Sequence, residues 1–231
     1  MQLTERQSQI LNEIVDEYIN SAKPVSSQLL EKKHHFKICP ATIRIEMQKL
    51  TDSGFISQPH TSAGRMPTDK GYRFYVDNFL EKDFFEDSSL GIDELMDGEV
   101  NDAVKMLQLI TKSLASSSSN LVLGYLLNEK LLWKDGWEGV IQEPEFKETG
   151  FISHFAEAVK NLEKEMEGMK LNSAIEVFIG KENPFPKAKE FSTIISRCHF
   201  PGGEGFLAIV GPKRMTYDRN INYLKSLMNK L

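Results

Sequence analysis

The 231-residue sequence predicts an α+β protein with two domains. Apolar residues recur at helical spacing in the first 80 residues, whereas the last third alternates apolar strands with turns. Only two cysteines occur, Cys39 and Cys198, which is typical of a reduced cytoplasmic protein. No stretch approaches 18 consecutive apolar residues, and the polar start lacks the layout of a secretion signal, so we do not expect a membrane protein.

The first domain, residues 1–80, begins with two predicted helices. Thr4 and Gln7 form a capping-box pattern in front of an apolar stripe, which predicts a helix over about 4–20. The segment AKPVSS ends this helix, and Ser26 or Ser27 can cap a second, shorter one.

A third helix is bounded by Pro40 at its first position and by Gly54 just past its end. The following segment FISQ reads as a short strand, and a fourth helix is expected from about Thr68 to Leu80.

Residues 81–98 are acidic and contain two glycines, which is typical of a linker. The second domain, 99–231, is predicted to start with a helix at about 99–115 that ends at the serine run 116–119. Strands and helices then alternate, which predicts an antiparallel sheet. The predicted strands are LVLGYLL, LLW, AIEVFIG, STIISRCHF and FLAIVG, with helices near 150–168 and at the end of the chain.

The charge is unevenly distributed. The whole chain has a net charge of −5, which by itself argues against nucleic-acid binding. Residues 23–73, however, contain nine Lys and Arg against four Asp and Glu. Positive charge is therefore concentrated in the first domain, as expected of a DNA-binding unit attached to an acidic remainder.

The third helix has one apolar face and one polar face. At 100° per residue, Ile43, Met47 and Leu50 share the face that packs inward. Arginine can pair with guanine, glutamine with adenine, and an exposed isoleucine can touch a thymine methyl group. A plain solvated helix remains an alternative interpretation. The candidate recognition residues on the opposite face are Thr42, Arg44, Ile45, Gln48 and Lys49.

The segment PHTSAGRMPTDKGYRFYV, residues 59–76, is too broken for a helix interior and too basic for an ordinary turn. Its prolines limit the freedom of the chain, and its side chains suit a wing that grips phosphates or a minor groove. With the preceding helices, it predicts a winged helix-turn-helix. The candidate wing residues are His60, Thr61, Ser62, Arg65, Lys70 and Arg73.

These segments resemble a known family. LTERQSQILNEIVDEYI, KPVSSQLL, CPATIRIEMQKL and GFISQPHTSAGRMPTDKGYRFYVD are similar to the N-terminal domain of the HrcA heat-inducible transcription repressors. PEFKE, VFIGKEN and AIVGPKRMTYDRNINYL resemble the GAF-like domain of that family. The resemblance implies a homodimeric repressor of chaperone genes. It would bind double-stranded DNA at an inverted-repeat operator and release it on heat stress, with the GroEL chaperonin as a further partner.

The chain departs from the family pattern at two levels. The family usually has Asn at the position of Ile45, and Gly and Ser at the positions of Ser26 and Cys39. Family members also carry an inserted dimerisation domain after the strand LVLGYLL, which is almost entirely missing here. The sequence therefore resembles a compact member, whose dimer contacts must come from elsewhere, with the helix at 99–115 and the GAF-like surface as candidates.

Other functions leave weaker signals. No catalytic motif is present, so an enzyme is not expected, and no cofactor or metal is expected either; HHxxxC, formed by His34, His35 and Cys39, is better read as a connector. The alternative function is a ligand-responsive regulator, in which IGKEN and GPKRM line an effector pocket. These motifs can equally be turns with Arg214 in an internal salt bridge. A protein-interaction module with vestigial DNA binding is a third possibility.

Overall fold

The computed structural model describes residues 3–34, 38–80, 102–201 and 203–231. The chain divides into two compact units, Met1–Glu81 and Lys82–Leu231. The linker predicted over 81–98 lies outside the described residues.

Helix α1 (Glu5–Ser21) opens the first unit with the predicted capping box. The amide of Gln7 donates to Thr4 Oγ1 at 3.3 Å, and the Gln7 side chain accepts from the Thr4 amide at 3.1 Å. The helix ends at Ala22, which adopts a left-handed conformation with φ of 53°. Both ends of α1 are therefore fixed by local contacts as well as by its buried apolar face.

Three further helices and a short hairpin complete this unit: α2 (Ser27–His34), α3 (Pro40–Asp52), β1 (Ile56–Ser57), β2 (Met66–Pro67) and α4 (Asp69–Leu80). Ser26 caps α2 by accepting from the Leu29 amide at 3.1 Å. Gly54 follows α3 with φ of 76°, the conformation expected of a residue just past a helix end. The core is formed by fully buried side chains from several of these elements, including Ile10, Leu11, Ile14, Leu30, Ile43, Leu50 and Val76.

The second unit is built on a five-stranded antiparallel sheet in the order β4-β3-β7-β6-β5. The predicted α+β class with an antiparallel sheet is therefore confirmed. The strands are β3 (Leu121–Leu126), β4 (Leu131–Asp135), β5 (Ile175–Ile179), β6 (Phe191–Phe200) and β7 (Gly203–Pro212).

Helices cover both faces of this sheet: α5 (Ala103–Ser118), α6 (Trp137–Val140), α7 (Phe151–Glu165) and α8 (Tyr217–Lys230). Leu121, Leu123 and Tyr125 of β3 share a core cluster with α7. Gly124, which points to the other face, lies so close to Leu107 and Thr111 of α5 that a Cβ there would clash. The alternation of β3 side chains between two helical layers explains why the whole strand is buried.

The serine run was predicted to end helix α5 but instead forms its last turn. The helix continues to Ser118 and ends at Ser119, which has a left-handed φ of 54°. Ser116 donates to the carbonyl of Lys112 at 2.9 Å, so its hydroxyl is satisfied within the helix, and Ser118 is buried. Serine disfavours helix interiors only weakly, and packing decides the boundary here.

Candidate nucleic-acid interface

Helix α3 packs one face into the core and turns the opposite face to solvent, as predicted. Ile43, Met47 and Leu50 are buried. The candidate recognition residues lie on the solvent side, half-buried at Thr42 and exposed at Arg44, Ile45, Gln48 and Lys49. Ile45 is 58% exposed, the largest value among the large apolar side chains that stand out at the surface of the described residues.

Glu46, between the two faces of α3, is buried and pairs with a lysine. Its carboxylate accepts from Lys49 Nζ and from Gln7 Nε2, each at 3.0 Å. The hydrogen bond from Lys49 is the main reason that the pKa of Glu46 is lowered. Lys49 therefore neutralises this carboxylate from the rim of α3, and Glu46 ties α3 to α1.

The hairpin loop, residues 58–65, joins β1 to β2. Its conformation is stabilised by the side chain of Gln58, the first residue of the loop. Gln58 Nε2 donates to the carbonyls of Thr61 and Ala63, both at 2.9 Å. The Ala63 amide donates to the carbonyl of His60 at 2.9 Å, and His60 Nδ1 lies 3.2 Å from Ser62 Oγ. Sequence reasoning missed Gln58, although its position at the end of a strand before Pro59 was a usable signal.

Arg65 closes the hairpin loop and contacts two other parts of the unit. Its backbone forms an antiparallel bridge with Val25, with both N–H···O distances at 2.8 Å. Its guanidinium donates from Nε to Thr51 Oγ1 at 3.1 Å and from Nη2 to Gln48 Oε1 at 3.3 Å. Gly64 is required beside it, because a Cβ there would lie 2.4 Å from the Val25 carbonyl oxygen.

Two residues assigned to the wing, Lys70 and Arg73, lie in α4 and not in the hairpin loop. Lys70 Nζ donates to the Ser53 carbonyl at 2.9 Å and lies 4.2 Å from the centre of the Phe55 ring, so it stabilises the end of α3. Arg73 pairs with Asp77 on the same helix at 3.3 Å. The charge pattern placed them near the loop in sequence but could not indicate where their side chains point.

Thr68 begins α4 as predicted, since its hydroxyl accepts from the Gly71 amide at 3.2 Å. The hydroxyl also donates to the Gly54 carbonyl at 2.7 Å. Tyr72 and Tyr75 of this helix are buried and belong to the core of the unit.

An open cleft of about 470 Å³ separates the start of α2, helix α3 and the hairpin loop. Gln28, Arg44 and Gln58 line it together with the loop backbone from Thr61 to Arg65. Arg44 makes no hydrogen bond or ion pair with any residue that the structure describes. An exposed guanidinium that bonds to none of the described residues, in a cleft lined by amide and hydroxyl side chains, is suited to bind an anionic ligand such as a nucleic-acid backbone or a base edge.

Cys39 precedes the first residue of α3. Its sulfur lies 3.4 Å from Thr42 Oγ1 and makes no side-chain bond to the helix backbone. The hydrogen bond from Thr42 lowers the pKa of this exposed thiol. Cys39 occupies the N-cap position of α3 without forming the cap hydrogen bond that a serine can form there.

In the second unit, the motifs proposed for an effector pocket are used for internal contacts. Arg214 binds the carboxylate of Glu145 at 2.7 Å and also that of Glu143, which confirms the salt-bridge interpretation of GPKRM. Asn183 of IGKEN is buried, and its amide donates to the Phe191 carbonyl at 2.9 Å and accepts from Thr193 at 2.9 Å.

No helix within the described ranges is both long and apolar enough to cross a membrane. Among the side chains that the structure describes, no group of three or more His, Cys, Asp or Glu is arranged to hold a metal ion.

This chain is similar in structure to a solved protein. A crystal structure at 2.2 Å resolution, described as that of a hypothetical protein, superposes with a TM-score of 0.84 and 23% sequence identity. The match covers 99% of this chain and 97% of the other. The two proteins therefore share a fold.

Several curated proteins are similar to this chain in sequence. The heat-inducible transcription repressor HrcA of Acetivibrio thermocellus is 37% identical over 131 residues, which are 56% of this chain and 37% of that protein. The HrcA of Brevibacillus brevis is 52% identical over 89 residues, 38% of this chain and 26% of that protein. These two matches thus span well under half the length of the relatives.

The HrcA of Thermodesulfovibrio yellowstonii aligns at 26% identity with 99% of this chain and 97% of its own length. That alignment extends over 337 positions, whereas this chain has 231 residues, so the relative contains long stretches that have no counterpart here. The family model described as the HrcA protein C terminal domain matches residues 74–221. Because this match covers more than half of the sequence, the chain belongs to the HrcA family.

Proposed function

We propose that this protein is a heat-inducible transcription repressor that binds double-stranded DNA as a homodimer at an inverted-repeat operator. The observation that carries the proposal is the outward face of α3, where the exposed Arg44 side chain bonds to none of the residues that the structure describes and lies beside the 58% exposed Ile45. In the major groove, a thymine methyl group would provide an apolar contact for the exposed Ile45 side chain. Several relatives carry the name of this function.

In this proposal the first unit is a winged helix-turn-helix. Helix α3 enters the major groove, and the hairpin loop follows the phosphate backbone beside it. His60, Thr61 and Ser62 are all exposed at the tip of the loop, where they can donate to phosphates. The two hydrogen bonds that Gln58 donates within the loop, here called the Gln58 brace, support this role. A loop that is already ordered loses less conformational entropy when it binds.

The dimer follows from the symmetry of an inverted repeat, which presents the same half-site twice. We interpret the second unit as the GAF-like domain of the family with its dimerisation insert reduced. In support, only the four residues 127–130 connect β3 to β4, and β4 leads directly to Gly136. The two copies would then associate through α5 or another surface of the second unit.

Release on heating requires no ligand. Domains of this size are stabilised by only about 5–15 kcal/mol, so a rise of a few degrees can shift a marginal folded population severalfold. The GroEL chaperonin would act here as a folding partner that restores the DNA-binding population after stress. This part of the proposal rests on the family relationship.

The test is a titration of the full chain against an inverted-repeat duplex and a scrambled duplex of equal length, each at two salt concentrations. We expect tighter binding to the inverted repeat and a linear fall of log K with log salt on both duplexes. Equal affinity for both duplexes would disprove sequence-specific repression. If a metabolite raised the melting temperature and changed DNA affinity, the ligand-responsive alternative would be favoured instead.

A further inference from the structure

The side-chain amide of Gln48 is held on both sides. Its Nε2 donates to Asp52 Oδ1 at 2.8 Å, one turn later on α3. Its Oε1 accepts from Arg65 Nη2 at 3.3 Å, across from the hairpin loop. Gln48 is exposed, so these contacts are not forced by burial. They fix the orientation of a group that would otherwise rotate freely in solvent.

The chemistry of the two neighbours determines which way the amide faces. A guanidinium can only donate hydrogen bonds, and an ionised carboxylate can only accept them. The carbonyl oxygen of Gln48 must therefore face Arg65, and its NH₂ group must face Asp52. A flipped amide would place its NH₂ group against the guanidinium and its oxygen against the carboxylate. Both hydrogen bonds would then be lost.

The amide retains unused capacity in this orientation. Its NH₂ group has two hydrogens and its oxygen has two lone pairs, and the neighbours use one of each. One donor hydrogen and one acceptor lone pair therefore remain unused on this exposed amide. In the major groove, adenine presents the matching pair, an acceptor at N7 and a donor at N6.

The orientation of the Arg65 side chain is set by contacts other than the one with Gln48. Its backbone is bridged to Val25, and its Nε donates to Thr51 Oγ1 at 3.1 Å. The Thr51 hydroxyl in turn donates to the Met47 carbonyl at 2.9 Å, so its proton is used and a lone pair is available to the arginine. The guanidinium thus points toward α3 through a defined chain of contacts.

We propose that Arg65 and Asp52 are positioning residues that hold the Gln48 amide ready to read one adenine in each operator half-site. The proposal rests on the proposed function, because it specifies how the same interface selects its sequence. It also revises the role expected of Arg65. Its guanidinium contributes to base selection through Gln48, and not primarily to grip on the phosphates.

The experiment starts with duplexes selected from a randomised library by the full-length protein. In the best duplex, each adenine is replaced in turn by 7-deazaadenine, which lacks the N7 acceptor, and by purine, which lacks the N6 donor. At one adenine per half-site, either replacement is expected to weaken binding by about tenfold, the range of a single bidentate base contact. The Gln48→Ala variant should be insensitive to both replacements at that position.

The positioning role is tested with Arg65→Lys, which keeps the charge but lacks the planar fork, and with Asp52→Ala, which removes the acceptor for the Gln48 NH₂ group. Both variants are expected to lose most of the discrimination at the same adenine, measured as the ratio of affinities for the unmodified and the modified duplex. The double variant Gln48→Ala/Arg65→Lys should discriminate no less than Gln48→Ala alone, because Arg65 acts through Gln48. Circular dichroism verifies that each variant is folded.

Two results would overturn the proposal. If Arg65→Ala weakens every duplex evenly, lowers the salt slope by about one and leaves base discrimination intact, then Arg65 is a phosphate clamp. If Gln48→Ala keeps full sensitivity at every adenine, the amide does not read a base. By contrast, failure to enrich any duplex would reject the proposed function itself, which the titration above tests separately.

Discussion

Two loops of this protein are each held by a single side-chain amide, but in opposite surroundings. Gln58 is exposed and donates to two carbonyls of the hairpin loop. Asn183 is 7% exposed, and its NH₂ group, which has two hydrogens to donate, lies within 3.4 Å of four carbonyl oxygens, those of Phe178, Gly180, Ala188 and Phe191. A buried brace contributes to the stability of the fold, whereas an exposed brace mainly shapes a surface, because water can replace its hydrogen bonds.

The two cysteines also differ in burial, since Cys39 is exposed and Cys198 is buried. This contrast gives the largest effect that we predict, a difference in the rate of thiol reaction. Burial raises the pKa of Cys198 to about 11, whereas the hydrogen bond from Thr42 lowers the pKa of Cys39. Since the thiolate is the reactive form, only on the order of a thousandth of Cys198 would be ionised at pH 8 even if reagent could reach it. We expect Cys39 to react at least about a hundredfold faster with a disulfide reagent in the native protein.

A colorimetric thiol assay at pH 8 measures this directly. One equivalent should react in a fast phase that Cys39→Ser removes, and the second should appear only after urea is added. Simultaneous reaction of both thiols in the native state would show that the second unit opens readily around β6.

The second prediction removes the buried brace. Asn183→Ala leaves buried carbonyl groups and Thr193 without a partner, so we expect the free energy of unfolding to fall by about 2–4 kcal/mol. Urea unfolding followed by tryptophan fluorescence is suitable, since both tryptophans, Trp133 and Trp137, lie in the second unit. Asn161→Ala is the matched control, because Asn161 donates to Pro186 in the same loop but from an exposed position. An equal loss in both variants would contradict the role of burial.

The third prediction concerns the ion pairs of Arg214, whose side chain is 10% exposed. Arg214→Met leaves the carboxylates of Glu143 and Glu145 close together and without a cation, and we expect a loss of about 1–3 kcal/mol, discounted because both are partly hydrated. The urea midpoint of the same fluorescence signal measures it. Lys130→Met, which breaks the exposed pair with Glu167, should hardly move that midpoint. A larger effect at Lys130 would mean that surface charge dominates this unit.

The smallest change in stability is expected for the exposed brace. Gln58→Ala should lower the free energy of unfolding by less than about 1 kcal/mol, because solvent satisfies the two carbonyls that it releases. DNA affinity should nevertheless fall severalfold on every duplex, since the loop must then be ordered on binding. A titration against operator and scrambled duplexes checks this, with Asn20→Ala as a control amide on the exposed end of α1. A loss confined to one sequence would assign Gln58 to base selection instead.

Local chemistry made much of the fold predictable. The capping box of Thr4 and Gln7, the proline at the start of α3 and the glycine after its end act within a few residues, so the sequence alone indicates these boundaries. The strands of the sheet are apolar runs between turn residues and were predicted for the same reason. Serine in the last turn of α5 was misleading because packing outweighs a weak propensity.

The candidate site was only partly predictable. The outward face of α3 follows from helical periodicity, and Arg44 and Ile45 lie where the periodicity placed them. The contacts of Lys70 and Arg65 were not predictable in this way, because the direction of a long flexible side chain depends on acceptors far away in sequence. The acceptor is the Ser53 carbonyl for Lys70 and the Gln48 side chain for Arg65. No pattern of charges contains that information.

The bridge between Val25 and Arg65 links the hairpin loop to the short connection between α1 and α2. Helix α2 has only eight residues, so it depends on its neighbours for stability and is a natural place for thermal fraying to begin. Fraying there would remove the support of Arg65, and with it the alignment of Gln48 on α3. DNA affinity and sequence selectivity would then be lost together within a narrow temperature interval. Release of the operator would be abrupt and not gradual as the temperature rises.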